Sequence, residues 1–352
     1  MKIIDPSYKI LDLNFNYQAM LLLLERAARV CYKSEGAIKS GSDIKLIEKI
    51  IGRGHEAMLE HAYLILEVSK DMYTLANTYC SHQYPLKFLV FTQENNRFLI
   101  SGNIRAFRDF HRITKCRMFS LVLKTMFPVF FDDLEYYSGD ETSVQIKLFT
   151  DIESMDNIEK LNHLRLSVHF ICCRGFTHEI VRMRLFSFAQ ESSRYVDYFK
   201  GKQGKGITVI RPNWSHLWKR GIIKNKMRRD FSDIEKSMIV ENWAYGMQSC
   251  EAMYMSQRLH SVVPQFAREN LPIGVKTEII TTGTFAEWHH VFGLRVEDVA
   301  HPSMHQLMRP LLVDVKKKYV VLFDQIPDEP QYWLDNQWMW NDQAYLEERS
   351  YV

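Results

Sequence analysis

The side chains able to do chemistry concentrate in one stretch, Arg174 to Tyr195, RGFTHEIVRMRLFSFAQESSRY. Four arginines, Arg174, Arg182, Arg184 and Arg194, are interleaved there with His178, Glu179, Ser187, Gln190, Glu191, Ser192 and Ser193. A guanidinium suits bidentate recognition of phosphate or carboxylate, and a neighbouring hydroxyl can complete the oxygen cage. The inventory is that of an anion-binding site. A surface helix whose arginines pair with Glu179, Glu191 and Asp197 accounts for the same residues, because structural ion-pair networks are common.

The elements that must position these groups are a helix, a turn and a strand. On a helix, His178, Glu179 and Arg182 share a face while Ile180 and Val181 pack inward. A strand is expected from Gln190 onward, with Gln190, Ser192 and Arg194 on one face and Glu191, Ser193 and Tyr195 on the other. The apolar run Leu164 to Cys173 is a strand candidate that feeds this stretch.

Upstream, Tyr17 to Val30 reads as a helix capped by Asn14 or Asn16 and stopped by Ser34 and Gly36, with its four consecutive leucines in the core. Asp43 to Ile51 is a second helix, capped by Ser42 or Asp43 and ended by Gly52 and Gly54. Ala62 to Val68 is strand-like, and helices over 71–80 and 105–116 flank an extended RFLI segment. Residues 136–142 form a turn-rich break, and 144–152 an edge strand or loop. Downstream, Ile234 to Ser261 predicts a long amphipathic helix that gives Met238, Trp243, Met247 and Met253 to the core. In TFAEWHHVFGLR, Phe285, Trp288, Phe292 and Leu294 are expected to be buried. Arg268 is placed at the edge of a cavity, near a helix end at Leu271-Pro272.

Bulk properties narrow the function classes. With 352 residues, 46% hydrophobic and 25% charged, the chain can bury a sizeable core. A net charge of +3 does not by itself imply a nucleic-acid partner. The ten Lys and Arg residues between Lys200 and Arg229 read as a solvated loop, since no RNA-binding or helix-turn-helix frame surrounds them. The six cysteines show no CxxC pair and no zinc-type spacing. Adjacent Cys172 and Cys173 read as packing. The N-terminal residues show no signal-peptide pattern and no apolar run is long enough to span a membrane, so reduced thiols and a cytoplasmic location are expected.

RMRLFSFAQESSRY resembles the signature of the flavin-dependent thymidylate synthases, Arg-His-Arg, seven residues, Ser, then Arg-Tyr. Gly54 to His61, GHEAMLEH, looks like the family's Gly-His-Glu box, and Ser101 to Phe110, SGNIRAFRDF, like a segment of its longer members. ARENLP at Ala267 to Pro272 and the run Leu294 to Leu312 match in order and spacing. The resemblance implies one α/β (α+β) domain over 1–352, a central mostly antiparallel sheet flanked by helices, in a homotetramer. An extension is expected at about 70–160 and the basic loop at about 200–230.

It also implies a reaction: FAD takes electrons from NADPH, and dUMP is methylated at carbon 5 with 5,10-methylenetetrahydrofolate. Carried over by residue, the dUMP contacts are Glu179, Arg182, Gln190, Glu191, Ser192, Ser193, Arg194 and Arg268, with Arg295 as the activating, catalytic residue on the uracil. The FAD contacts are His55, Arg182, Met183, Arg184, Gln190 and His290, drawn from different subunits. No metal is implied, and no Gly-rich dinucleotide turn is present. The chain departs from the pattern at Met183, Thr284 and Ala286, where the family has His, Asn and Arg. Met is a weak acceptor and Ala offers no donor. Two alternatives therefore stand beside the synthase: a relative that alkylates carbon 5 of another pyrimidine nucleotide, and a nucleotide-binding paralogue without flavin chemistry.

Overall fold

The nine residues Lys276–Thr284, KTEIITTGT, are buried along their whole length. Six of the nine are β-branched, the side-chain type that fits a pleated surface packed on both faces. The computed structural model describes residues 1–11, 16–82, 88–94, 96–114, 116–135, 145–200, 206–214, 218, 231–297 and 300–326. Its strands are β1 (Lys2–Ile4), β2 (Ser7–Leu11), β3 (Tyr63–Val68), β4 (Val90–Glu94), β5 (Arg97–Asn103), β6 (Ile146–Leu148), β7 (Arg165–Cys173), β8 (Ser187–Gln190), β9 (Thr208–Ile210) and β10 (Lys276–Thr284). The helices are α1 (Tyr17–Tyr32), α2 (Ser42–Gly52), α3 (Lys70–His82), α4 (Ile104–Thr114), α5 (Arg117–Met126), α6 (Pro128–Phe131), α7 (Asn157–His163) and α8 (Arg174–Ile180). They continue with α9 (Asp233–Leu259), α10 (Pro264–Ala267), α11 (Phe285–Arg295), α12 (Pro302–Lys318) and α13 (Val320–Phe323).

Helices flank antiparallel sheet, as expected, but the sheet comes in two parts. One has the order β2-β7-β10-β8 and the other β4-β5-β3-β6, each antiparallel throughout. A short parallel pair, β1 with β9, is bridged to the approach to β10 through Val209 and Val275. The second sheet and α3 to α6 lie within residues 63–148 and share an apolar core around Leu64, Leu66, Ile100, Phe107 and Phe119 with Leu21 and Leu24 of α1. The first sheet carries the larger core, where α11 and α12 bring Trp288, Phe292, Met304 and Leu311 against Phe170 and Ile279. Among the described residues no helix is long and apolar enough to cross a membrane.

Several local expectations are met with adjustments. Asn16 caps α1 by accepting from the Ala19 amide at 2.8 Å. Of the four leucines, Leu21 and Leu24 are buried but Leu22 is exposed, because at 3.6 residues per turn four neighbours cannot share one face. Gly41, with φ +72°, is the cap of α2, while Ser42 begins the helix and donates to buried Glu25 at 2.6 Å. The expected edge strand is β6. α9 departs most: Trp243 and Met247 pack against a small core, yet Met238 and Met253 are exposed, and Tyr254 alone of its described side chains is buried. Leu294 is likewise exposed on α11. The turn-rich break at 136–142 and most of the basic loop lie outside the described residues.

Candidate active site

β7 delivers the chain directly into α8. The Cys173 thiol accepts from the Phe176 amide at 3.4 Å and so caps the helix, while Phe176, Thr177 and Ile180 face the core. Cys172 is buried as expected, and burial pushes its thiol well above the ordinary range. Val181 is exposed instead of packed, because α8 stops at Ile180 and the chain turns there. β8 ends at Gln190, the residue at which the alternation predicts a strand to begin. Past Gln190 the chain turns: the Tyr195 and Val196 amides both donate to the Ser192 carbonyl, at 3.1 and 3.0 Å. The alternation of Gln190, Ser192 and Arg194 is therefore not realised, and these groups are presented by a turn.

Phe186 fixes the approach to β8. Its ring lies so close to Gly283 of β10 that a Cβ there would sit 2.6 Å from it. Trp288 of α11 meets the same ring edge-on, with centroids 5.0 Å apart. A glycine at 283 is thus what lets the arginine-bearing turn lie flat on the central strand.

At the far end of α11, Arg295 returns to α8. Its Nη1 donates to the Glu179 carboxylate at 3.0 Å and its Nη2 to the Glu179 carbonyl at 3.2 Å. Its Nε is buried and has no hydrogen-bond partner among the described residues. Arg182 reaches the other oxygen of Glu179 at 3.4 Å and is otherwise exposed. One carboxylate thus gathers two guanidiniums, with Arg295 lying 116 residues from Glu179 along the chain.

The remaining residues expected on the nucleotide side divide into fixed and free. The Gln190 amide nitrogen donates to Thr177 at 3.0 Å and to Thr277 at 3.4 Å. Glu191 is buried, taking Lys276 at 3.1 Å and the Tyr198 hydroxyl at 3.1 Å. The Ser192 amide donates to the Cys31 carbonyl at 3.0 Å, and the Ser193 hydroxyl accepts from Arg174 at 2.7 Å. Arg194 is exposed, 5.6 Å from the centroid of the Tyr195 ring. Arg268 is exposed on the single turn Arg268–Asn270. Among the described residues, neither Arg194, Arg268 nor Arg184 has a carboxylate partner. The ion-pair reading therefore holds for Arg182 only: Asp197 pairs instead with Arg258 at 2.7 Å.

On the flavin side, His55, Arg184 and His290 are exposed, while Met183 is partly buried against the main core. The chemistry of these donors suits an anionic cofactor at Arg182, Arg184, His55 and His290, but not at Met183, whose side chain is committed to apolar packing. The Thr284 hydroxyl caps α11, accepting from the Glu287 amide at 3.0 Å, and Ala286 is exposed.

The Gly-His-Glu box and the Ser-Gly-Asn-x-Arg segment prove to be one assembly. Glu56 accepts from Arg108 at 3.0 Å and from Arg112 at 2.9 Å. Burial alone would raise its carboxyl, but the two arginines outweigh this and hold it at about 2. Glu60 accepts from Arg105 at 2.7 Å and from Ser187 of β8 at 3.2 Å, tying the box to the arginine stretch. His61 is fully buried, with Nδ1 2.8 Å from the Thr282 hydroxyl, and burial depresses it to about 4. Lys33, Lys276 and Glu278 join Glu191 in the interior, and no motif in the sequence marks them. Lys276 and Glu278 alternate along a strand, which puts them on one face; that is the signal the sequence offers.

Helices on antiparallel sheet, with Arg182 and Arg295 brought from distant segments onto Glu179, define the class: a mixed α/β protein. The chain belongs to the family of the thymidylate synthase complementing protein (Thy1), whose model matches residues 134–319, more than half of its length. It is 27% identical over 147 residues to the flavin-dependent thymidylate synthase of Pyrococcus furiosus, covering 42% of this chain and 52% of the relative. With that of Geobacter sulfurreducens it is 30% identical over 143 residues, 41% of this chain and 52% of the relative. The chain spans about half the length of the curated relatives it matches. Among solved structures, a UMP/dUMP methylase PolB from Streptomyces cacaoi bound with 5-Br UMP matches with a TM-score of 0.41 and 12% identity, covering 90% of this chain and 92% of that one.

Proposed function

We propose that the protein is a flavin-dependent thymidylate synthase, which methylates dUMP to dTMP with methylenetetrahydrofolate as carbon donor and NADPH as reductant. The observation that carries this reading is Arg295, brought from the end of α11 onto Glu179 beside Arg182, with a buried and unpartnered Nε. A guanidinium held there against the uracil edge stabilises negative charge as it develops on the ring and makes carbon 5 a better nucleophile, as preorganised donors do. Arg194, Arg268 and the Ser192 and Ser193 hydroxyls suit the nucleotide phosphate, and Gln190 and Glu191 shape the turn that presents them. FAD, when bound, supplies the redox chemistry. Arg182, Arg184, His55 and His290 would hold it.

A homotetramer fits the same reading. Ile234, Met238, Tyr245, Met253 and Leu259 are all exposed on α9. At about 100° per residue they fall within an arc of roughly 120°, a one-sided apolar stripe that a second copy can cover. The exposed Arg194, Arg268, His55 and His290 then gain partners from neighbouring subunits. We take the chain as one domain whose extension, about 70–160, contributes most of the second sheet. All six cysteines are free thiols, which suits a cytoplasmic protein.

The engaged Thr284 hydroxyl and the absent donor at Ala286 favour one second reading, a nucleotide-binding paralogue without flavin chemistry. The experiment that separates the two is NADPH oxidation by the purified protein with FAD, in the presence of dUMP, UMP or neither. The synthase reading expects flavin absorbance and oxidation stimulated by dUMP. Stimulation by UMP alone would move the substrate, and a flavin-free protein that still binds dUMP would support the second reading.

A further inference from the structure

Two lysines and two glutamates meet in the interior beside the turn that carries Ser192 and Arg194. Lys33 caps the end of α1, Lys276 and Glu278 lie on β10, and Glu191 follows β8 directly. Their exposures are 7%, 7%, 9% and 3%. Glu191 takes Lys276 at 3.1 Å and Lys33 at 3.6 Å. Glu278 takes both lysines and also His169 of β7, at 3.0 Å. The formal charges of the four cancel, as buried charges must. Lys33 holds a left-handed backbone, φ +49°, a conformation unfavourable for a side chain with a Cβ. Its amide closes the end of α1 on the Val30 carbonyl at 3.4 Å, and its ammonium reaches both glutamates.

We propose that this cluster is a positioning device, in which Glu191 is the tether that sets the Ser192–Arg194 turn against α1 and β10. The backbone agrees with the side chains. The Glu191 amide donates to the Glu278 carbonyl at 2.8 Å and the Ser192 amide to the Cys31 carbonyl at 3.0 Å, so each carboxylate contact is doubled by a main-chain bond to the same two elements. Tyr198, on the far side of the turn, closes it by donating to the remaining Glu191 oxygen at 3.1 Å. Glu191 is too buried to touch a ligand, and its effect passes through the residues after it. What the turn holds rests on the nucleotide reading above; that the cluster fixes the turn does not.

The test uses Glu191→Gln alone and together with Lys276→Met, in the full-length protein. Glu191→Gln leaves two buried ammoniums facing one buried carboxylate, Glu278, with the more exposed Glu35 3.4 Å from Lys33, and the pair of substitutions rebalances the buried charges without restoring the tether. Three quantities are read: the thermal midpoint, amide hydrogen exchange at Ser192, Tyr195 and Val196 without ligand, and the dissociation constant for dUMP. The single variant should lower the midpoint, speed the three amides and weaken dUMP by about tenfold or more. The double variant should recover the midpoint while the amides stay fast and dUMP stays weak. Recovery of all three together, or unchanged exchange in the single variant, would overturn the proposal. Faster exchange in a protein that binds no dUMP even as wild type would support the positioning role and remove the nucleotide reading.

Discussion

Arg295 spends both of its terminal nitrogens on Glu179, one on the carboxylate and one on the backbone carbonyl, and its Nε is buried with no partner among the described residues. The side chain is thus aimed before any ligand arrives. Arg295→Ala should reduce kcat/KM by about 10²-fold or more, the scale of removing one preorganised donor. Circular dichroism should show the fold retained. Turnover equal to wild type would remove this residue from the reaction.

Gly283 and Phe186 test how the arginine turn is seated. Gly283→Ala brings a Cβ within 2.6 Å of the ring, and the ring is pinned by Trp288, so the cost should be about 1–3 kcal/mol in chemical denaturation. Phe186→Leu opens the space, and in that background the alanine should cost less than half as much. Equal cost in both backgrounds would show that the ring is not what the glycine accommodates.

Met183 lies between two demands. Its thioether packs on the main core, so Met183→His should lower the thermal midpoint. A ring nitrogen at that position should also tighten flavin binding, because it restores a hydrogen-bonding group that methionine lacks. Flavin titration followed by absorbance reads the second effect. A lowered midpoint with unchanged flavin affinity would place Met183 away from the cofactor.

Much of the fold is legible where the pattern is local. α1, α3, α4, β3 and β7 fall where periodicity and caps predict them, whereas β10, buried on both faces, shows no alternation and is not predicted. The errors share a cause in tertiary context. The alternation from Gln190 predicts a strand, yet the Ser192 carbonyl takes two turn amides and the alternating residues have no ladder to join. Met238 and Met253 look like core by composition and are exposed, because nothing in a single chain says what covers a long helix. The arginine stretch stands out as chemistry, whereas its link to Glu60 and the interior lysines needs strands remote in sequence to be paired.

Acid should destabilise the protein through His61. Burial lowers its folded value to about 4 from an ordinary 6.5, so the unfolded chain binds the extra proton as pH falls. Stability contributed by the neutral ring is complete above about 6.5 and is lost progressively down to about 4, a total of up to roughly 3 kcal/mol. Denaturant melts at pH values of about 7.5, 5.5 and 4.5 measure it across that window. His61→Asn should reduce the slope there without abolishing it, because burial also depresses His163, to about 3; an unchanged slope would show that His61 does not contribute.

The central claim is tested most directly by identifying the product. Purified protein is incubated with FAD, NADPH, methylenetetrahydrofolate carrying a labelled methylene carbon, and dUMP, and the nucleotides are separated for mass spectrometry. The account predicts dTMP with the label in its 5-methyl group, formed only when all four are present and at a rate about 10²-fold or more lower with Arg295→Ala. Flavin-loaded, folded protein that leaves dUMP unmethylated would contradict it.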